Sequence, residues 1–127
     1  MPVKYKVVEM GNALQPAQPK KFYARQVSNG EINLRALAQE IAAASSLTVG
    51  DVHNVLDNLI DMVPKHIADG KIVRLGDFGS FNLAITSNGE ASAGQVTVNS
   101  IKGNKLTFRP GKAIKNQLAV VTYEKAK

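Results

Sequence analysis

Residues 71–81 read K-I-V-R-L-G-D-F-G-S-F, and this glycine-broken run of strand formers constrains the fold more than any other stretch. Ile72, Val73, Leu75, Phe78 and Phe81 favour a strand. Gly76 and Gly79 each weaken a strand interior, so the pair predicts a bulge or a close backbone approach. Lys71 and Arg74 set positive charge at the start of the same strand. A second stretch, residues 106–115 (L-T-F-R-P-G-K-A-I-K), answers it. A strand over 106–108 runs through Arg109-Pro110-Gly111 into a predicted helix over 111–119 that carries Lys112 and Lys115.

The chain of 127 residues suits a single domain with a moderate core. At 6% aromatic and without Trp, the supply of large core residues is thin, which makes association with a partner expected. There is no Cys, so disulfides and thiolate metal sites are excluded. The opening M-P-V-K-Y-K has no signal-peptide apolar run, and no segment approaches the roughly 20 apolar residues of a membrane span. A soluble, cytoplasmic protein is the expectation.

Charge is segregated along the chain. Residues 1–30 hold Lys4, Lys6, Lys20, Lys21 and Arg25 against Glu9 alone, a net +4. Residues 31–70 set two basic against six acidic groups, a net −4. Residues 71–127 set nine basic groups against Asp77, Glu90 and Glu124, a net +6. One acidic and one basic side follow, and a basic side is the footprint of a polyanion partner.

In chain order, residues 3–10 alternate as a strand, with Val3, Tyr5 and Val7 opposite Lys4 and Lys6. Gly11-Asn12 breaks it, and residues 12–20, with Pro16 and Pro19, read as a loop. Residues 21–27 form a second strand, paired with the first as a hairpin. Asn33 is a good N-cap for an amphipathic helix over 34–45. Thr48 and Asp51 have capping-box spacing before a longer helix that stops near Asp69-Gly70, with Pro64 predicted to kink its last turns. Both helices show apolar stripes that neither buries alone. After residue 81, strands are expected at 83–85 and 96–98 around a flexible tip, then a turn at 102–105. The tail over 120–123 is strand-like and could pair with an N-terminal strand.

Two helices, a three-stranded antiparallel section with a central excursion, and a basic C-terminal helix resemble the HU and integration host factor family of bacterial histone-like DNA-binding proteins. The matches are V-R-L-G-D-F-G-S-F at 73–81, similar to the family's G-F-G-[ST]-F strand, and F-R-P-G-K-A-I-K at 108–115, similar to its F-[RK]-P-G-K-x-[IL]-[KR] segment. They cover about residues 33–119. The opening M-P-V-K-Y-K-V-V-E looks like an HU-related group of the Bacteroidetes with an N-terminal extension. The resemblance implies an α+β, HU-like fold: a two-helix base, a three-stranded antiparallel sheet with a short arm, a C-terminal helix, and an intertwined homodimer. Extra N-terminal strands precede this fold. The domain reading is an extension over 1–30, an HU-like DNA-binding domain over 31–119 and a strand-like tail over 120–127. By the same resemblance Arg74, Gly79, Ser80, Arg109, Gly111, Lys112 and Lys115 lie along the DNA-binding surface, with Lys102 and Lys105 added by their charge. Backbone N–H groups and the positive end of a helix favour phosphate at such a place.

The sequence also departs from the family. Its arms are rich in Arg and Lys and carry an R-N-P motif whose Pro wedges between base pairs. Here residues 82–101 have no Arg, Lys or Pro, and Glu90 is their one charge. Minor-groove intercalation and strong kinking are therefore not expected. Asp77 replaces the first Gly of the strand signature. Lys4, Lys6, Lys20, Lys21 and Arg25 are auxiliary DNA-binding candidates that could compensate for the neutral arm.

Other chemistries fare worse. His53 and His66 stand alone, without the ligand cluster a zinc site needs. Asp57 and Asp61 sit on a solvated helix face, and Ser45, Ser46 and Ser80 lack a His-Asp arrangement. Gly76, Gly79 and Gly111 do not form a P-loop. The reading is a non-enzymatic, nucleoid-associated architectural protein (DNA condensation) that binds duplex DNA with tolerance of sequence, as a homodimer, through phosphate-backbone contacts. It calls for no cofactor, metal, membrane or small-molecule substrate. The alternative is a protein-interaction or scaffold dimer that keeps the fold without DNA bending. A single-strand or RNA binder would need an aromatic platform, for which Tyr5, Phe22 and Tyr23 are the available residues.

Overall fold

The computed structural model describes residues 2–11, 14 and 17–127. Asn12 and Pro16, which bear on the expected break and loop, lie outside the described residues. The fold is α+β, with three α-helices and two three-stranded sheets among the described residues. The chain divides into two compact units, Met1–Asn33 with Gln117–Lys127, and Leu34–Asn116.

In the first unit, alternation of apolar and charged residues gives β1 (Val3–Met10) and β2 (Lys21–Val27), paired antiparallel with Lys6 opposite Arg25. The tail supplies β6 (Tyr123–Lys125), parallel to β1, so the sheet order is β2-β1-β6. Backbone bonds from Val3 N–H to Thr122 O and from Ala126 N–H to Tyr5 O, both 2.8 Å, lock this junction. The strand expected over 120–123 thus forms a few residues later, and it does pair with an N-terminal strand.

In the second unit, α1 (Leu34–Ala43) packs on α2 (Val49–Ala68), burying Ala38 fully and Val52 to 3% exposure. The Thr48 hydroxyl accepts the Asp51 N–H at 3.1 Å, which caps α2. The helix runs through Pro64 without a break. It closes in a Schellman pattern, with Gly70 N–H to Ile67 O and Lys71 N–H to His66 O, and Gly70 takes φ +82°.

The strand-forming run over 71–81 is interrupted at its glycines, where a bulge or close backbone approach is expected. β3 (Val73–Arg74) ends, a 3-10 turn over Gly76–Phe78 follows, and β4 (Gly79–Ser87) begins. The two glycines explain the split: Gly76 has φ +58° and Gly79 φ +148°, conformations that L side chains disfavour. β4 is longer than expected and pairs with β5 (Ile101–Pro110), giving sheet order β3-β4-β5. The turn expected at 102–105 is instead part of β5, because its residues find ladder partners: Gly103 opposite Thr86, Asn104 opposite Ile85, Lys105 opposite Ala84. Lys102 is the extra residue where the register shifts between Thr86 and Ser87.

Nor is there a strand at 96–98. Short 3-10 turns occupy Ala93–Gln95 and Val98–Ser100, the second closed by a reciprocal Thr97–Ser100 capping box. Ser100, 3% exposed, donates its hydroxyl to Glu90 Oε1 at 3.0 Å, and its carbonyl accepts the Asn88 N–H at 2.8 Å. The tip is hydrogen-bonded, and its one charge, Glu90, accepts from Ser100.

α3 (Lys112–Ala119) follows β5. Among the described residues no helix is long and apolar enough to cross a membrane. Large apolar residues stay open in the second unit: Val55 (61% exposed), Leu59 (43%), Ile60 (51%) and Phe78 (52%).

Candidate nucleic-acid interface

Strand register sets the geometry of the basic surface. Arg74 of β3 is opposite Ser80 of β4, and Ser80 is opposite Arg109 of β5. Cross-strand partners share a face, so two guanidinium groups flank one hydroxyl in a single row. The neighbouring row, Val73, Phe81 and Phe108, faces the other way. There the Phe81 and Phe108 ring centroids lie 4.9 Å apart, and Phe78 joins Phe108 at 5.9 Å. The aromatic row lies on the sheet's apolar side, while in the other row Arg74 and Arg109 are exposed and Ser80 between them is half-buried. Lys105, paired with Ala84, lies on the arginine face by the same alternation.

Glycine brings α3 against this row. Gly111 donates its N–H to Phe78 O at 2.9 Å, and its carbonyl accepts the Lys115 N–H at 3.0 Å, the first bond of the helix. A Cβ on Gly111 would overlap the Asp77 carbonyl and come within 2.9 Å of Gly79 N. A Cβ on Gly79 would meet Arg109 O at 2.5 Å and the Phe108 ring at 2.7 Å. The result is a cleft of about 360 Å³ lined by Arg74, Gly76, Gly79, Ser80, Arg109, Pro110, Gly111 and Lys115.

Lys112 and Lys115 occupy the first turn of α3, which has no acidic residue. Cations at a helix N-terminus oppose the macrodipole by about 0.3–1 kcal/mol each, a cost that a bound anion would offset. Asp77 contributes backbone beneath Gly111, but its side chain is not part of the cleft wall.

Of the residues singled out in the sequence, Arg74, Gly79, Ser80, Arg109, Gly111 and Lys115 line this cleft, and Lys112 stands at its helix start. Lys105 and Lys102 lie further along β5. Lys4, Lys6, Lys21 and Arg25 belong to β1 and β2 of the other unit, and Lys20 precedes β2 with its stem near Gly11. Sequence reasoning missed Gly76 and Pro110 as lining residues. The glycine-broken strand was the available signal for Gly76, and the Pro110-Gly111 step for Pro110.

The structure is similar to a crystal structure from Bacteroides vulgatus ATCC 8482 described as a "Putative bacterial DNA binding protein". The TM-score is 0.64 at 10% identity, over 98% of this chain and 49% of that one. This chain therefore spans about half the length of its structural neighbour. No curated protein matches the sequence. The family model HU-HIG, described as an HU domain fused to wHTH, Ig, or Glycine-rich motif, matches residues 1–125, taking in both the N-terminal strands and nearly all of the tail. The chain belongs to this HU-domain family.

Proposed function

We propose that the protein binds duplex DNA with little sequence preference, as a homodimer and as a nucleoid-associated architectural protein of the bacterial cytoplasm. Binding, not catalysis, is its role, and residues 31–119 form the DNA-binding domain, flanked by the extension over 1–30 and the tail over 120–127. The observation that carries the reading is the Arg74–Ser80–Arg109 row beside the Gly111 helix start. Guanidinium groups, a hydroxyl and helix N–H groups are phosphate ligands, and phosphate contacts position a protein without reading bases. Gly79 and Gly111, Lys112 and Lys115 complete the surface, and Lys102 and Lys105 extend it. The neighbour described as a DNA-binding protein and the HU family both support this partner.

A second copy is called for by the open apolar surface. Leu59, Ile60, Val63, Pro64, Leu75, Phe78 and Phe81 line a wholly apolar groove of about 300 Å³. Burying the exposed halves of Val55, Leu59, Ile60 and Phe78 is worth about 1 kcal/mol each, a total comparable to a marginal domain's whole stability. The test is fluorescence anisotropy of a labelled mixed-sequence duplex across salt concentrations. Affinity that falls steeply with salt supports the reading, and no binding at low salt refutes it.

The exposed Val98 (82%) and Val96 (55%) on the hydrogen-bonded tip favour a second reading, a protein-interaction dimer without DNA bending. Salt-independent association with a protein partner, without duplex binding, would select it.

A further inference from the structure

Along a strand, side chains alternate between faces, and antiparallel partners share a face. The β1–β2 register therefore sorts the sheet of the first unit into two chemically distinct surfaces. Lys4, Lys6, Lys21 and Arg25 all fall on one face, interleaved with Val8, Met10, Tyr23 and Val27. Tyr5, Val7, Phe22 and Ala24 fall on the other. All four cations are exposed.

This basic face lacks counter-charge. Among the described residues, no carboxylate lies within ion-pair distance of any of the four. Glu124 of β6 is in register with Lys4 and is the one acidic neighbour on the face, while Glu9, opposite Phe22, is on the apolar side. Lys6 stands directly opposite Arg25, a like-charge cross-strand pair, which opposes sheet formation. The Arg25 guanidinium donates to the Met10 sulfur at 3.4 Å, a weak acceptor. Such a face is complete only against an extended anion. Positions on one face recur about every 6.8 Å along a strand and about every 4.8 Å across strands, so several phosphates are met at once.

We propose that this face of the β1–β2 sheet is a second contact surface for the phosphate backbone of duplex DNA, built from residues distinct from those of the cleft. It rests on the duplex-binding reading above. Duplex is favoured over single strand because register separates Tyr23 from Tyr5 and Phe22, leaving one aromatic group where a stacking platform needs several. Lys20, outside β2, is not part of the face.

The experiment compares three full-length proteins for duplex affinity across salt: wild type, the variant Lys4→Gln/Lys6→Gln/Lys21→Gln/Arg25→Gln, and a charge-matched control, Arg35→Gln/Lys65→Gln/Lys71→Gln/Lys125→Gln. Each phosphate contact contributes about 0.9 to the slope of log affinity against log salt, so the face variant should lose about 3 to 4 of slope and the control little. Equal losses in both variants, or none in the face variant, overturn the proposal while leaving duplex binding by the cleft intact. A wild type that does not bind duplex overturns both. Binding of single strand in preference to duplex, lost in the face variant, overturns the choice of partner. If the quadruple variant fails to fold, Lys6→Gln alone decides: its slope should fall by about 0.9, and an unchanged slope refutes the surface. Without DNA, Lys6→Gln should also raise the melting temperature by relieving the pair with Arg25, and a lowered one overturns the claim of uncompensated charge.

Discussion

Gly111 hangs from Phe78: its N–H donates to the Phe78 carbonyl at 2.9 Å, and this one bond fixes where α3 starts relative to the turn between β3 and β4. The approach leaves no room for a side chain. A Gly111→Ala methyl would meet the backbone of Asp77 and Gly79, which cannot rotate away as a flexible side chain can. The substitution should cost about 1–3 kcal/mol, the range for overpacking, read as a lower urea midpoint. Gly70→Ala is the useful contrast. Nothing lies within 4 Å of its Cβ position, so only the φ of +82° is strained, and about 1–2 kcal/mol is expected. Gly70→Asn should recover part of it, and Gly111→Asn none.

Thr48→Ala removes the acceptor for the Asp51 N–H at the head of α2. About 1 kcal/mol of stability should go with it, and Thr48→Ser should restore most of that in a thermal melt.

Arg109→Gln and Lys115→Gln each remove one cation from the cleft wall. Each should lower the salt slope of duplex binding by about 1 and weaken all sequences alike. An effect confined to one sequence would mean base reading and contradict the phosphate role.

Leu59→Glu sets a charge in the apolar groove. If a second copy covers that groove, the wild-type melting temperature rises with protein concentration and the variant sediments as a monomer. A wild type that is monomeric at all concentrations would refute the homodimer.

Much of the fold was legible because it is local. Periodicity in Leu37, Ile41, Val52 and Leu59 marked α1 and α2, and Val3 to Val7 marked β1. What was missed depends on distant partners. Val96-Thr97-Val98 alternates like a strand, yet it joins two 3-10 turns, the second tied through Ser100 to Glu90 and Asn88. Gly103-Asn104 reads as a turn, yet Thr86 and Ile85 across the ladder keep it extended. At the candidate site the residue types were visible in two motifs. Their adjacency was not, because it depends on the register between strands that lie about 30 residues apart.

The parallel pairing of β6 with β1 has a consequence for how the protein is made. Val3 is joined to Tyr123, so the strand that leaves the ribosome early waits for one translated after α3. Until then one edge of β1 is unpaired, and a bare edge invites strands from other nascent chains. Such distant pairing also slows folding, because the chain must close a large loop before the contact returns any energy. Lys4 and Lys6, spaced along that waiting edge, would repel another copy of the same strand and keep crowded polysomes from joining through it.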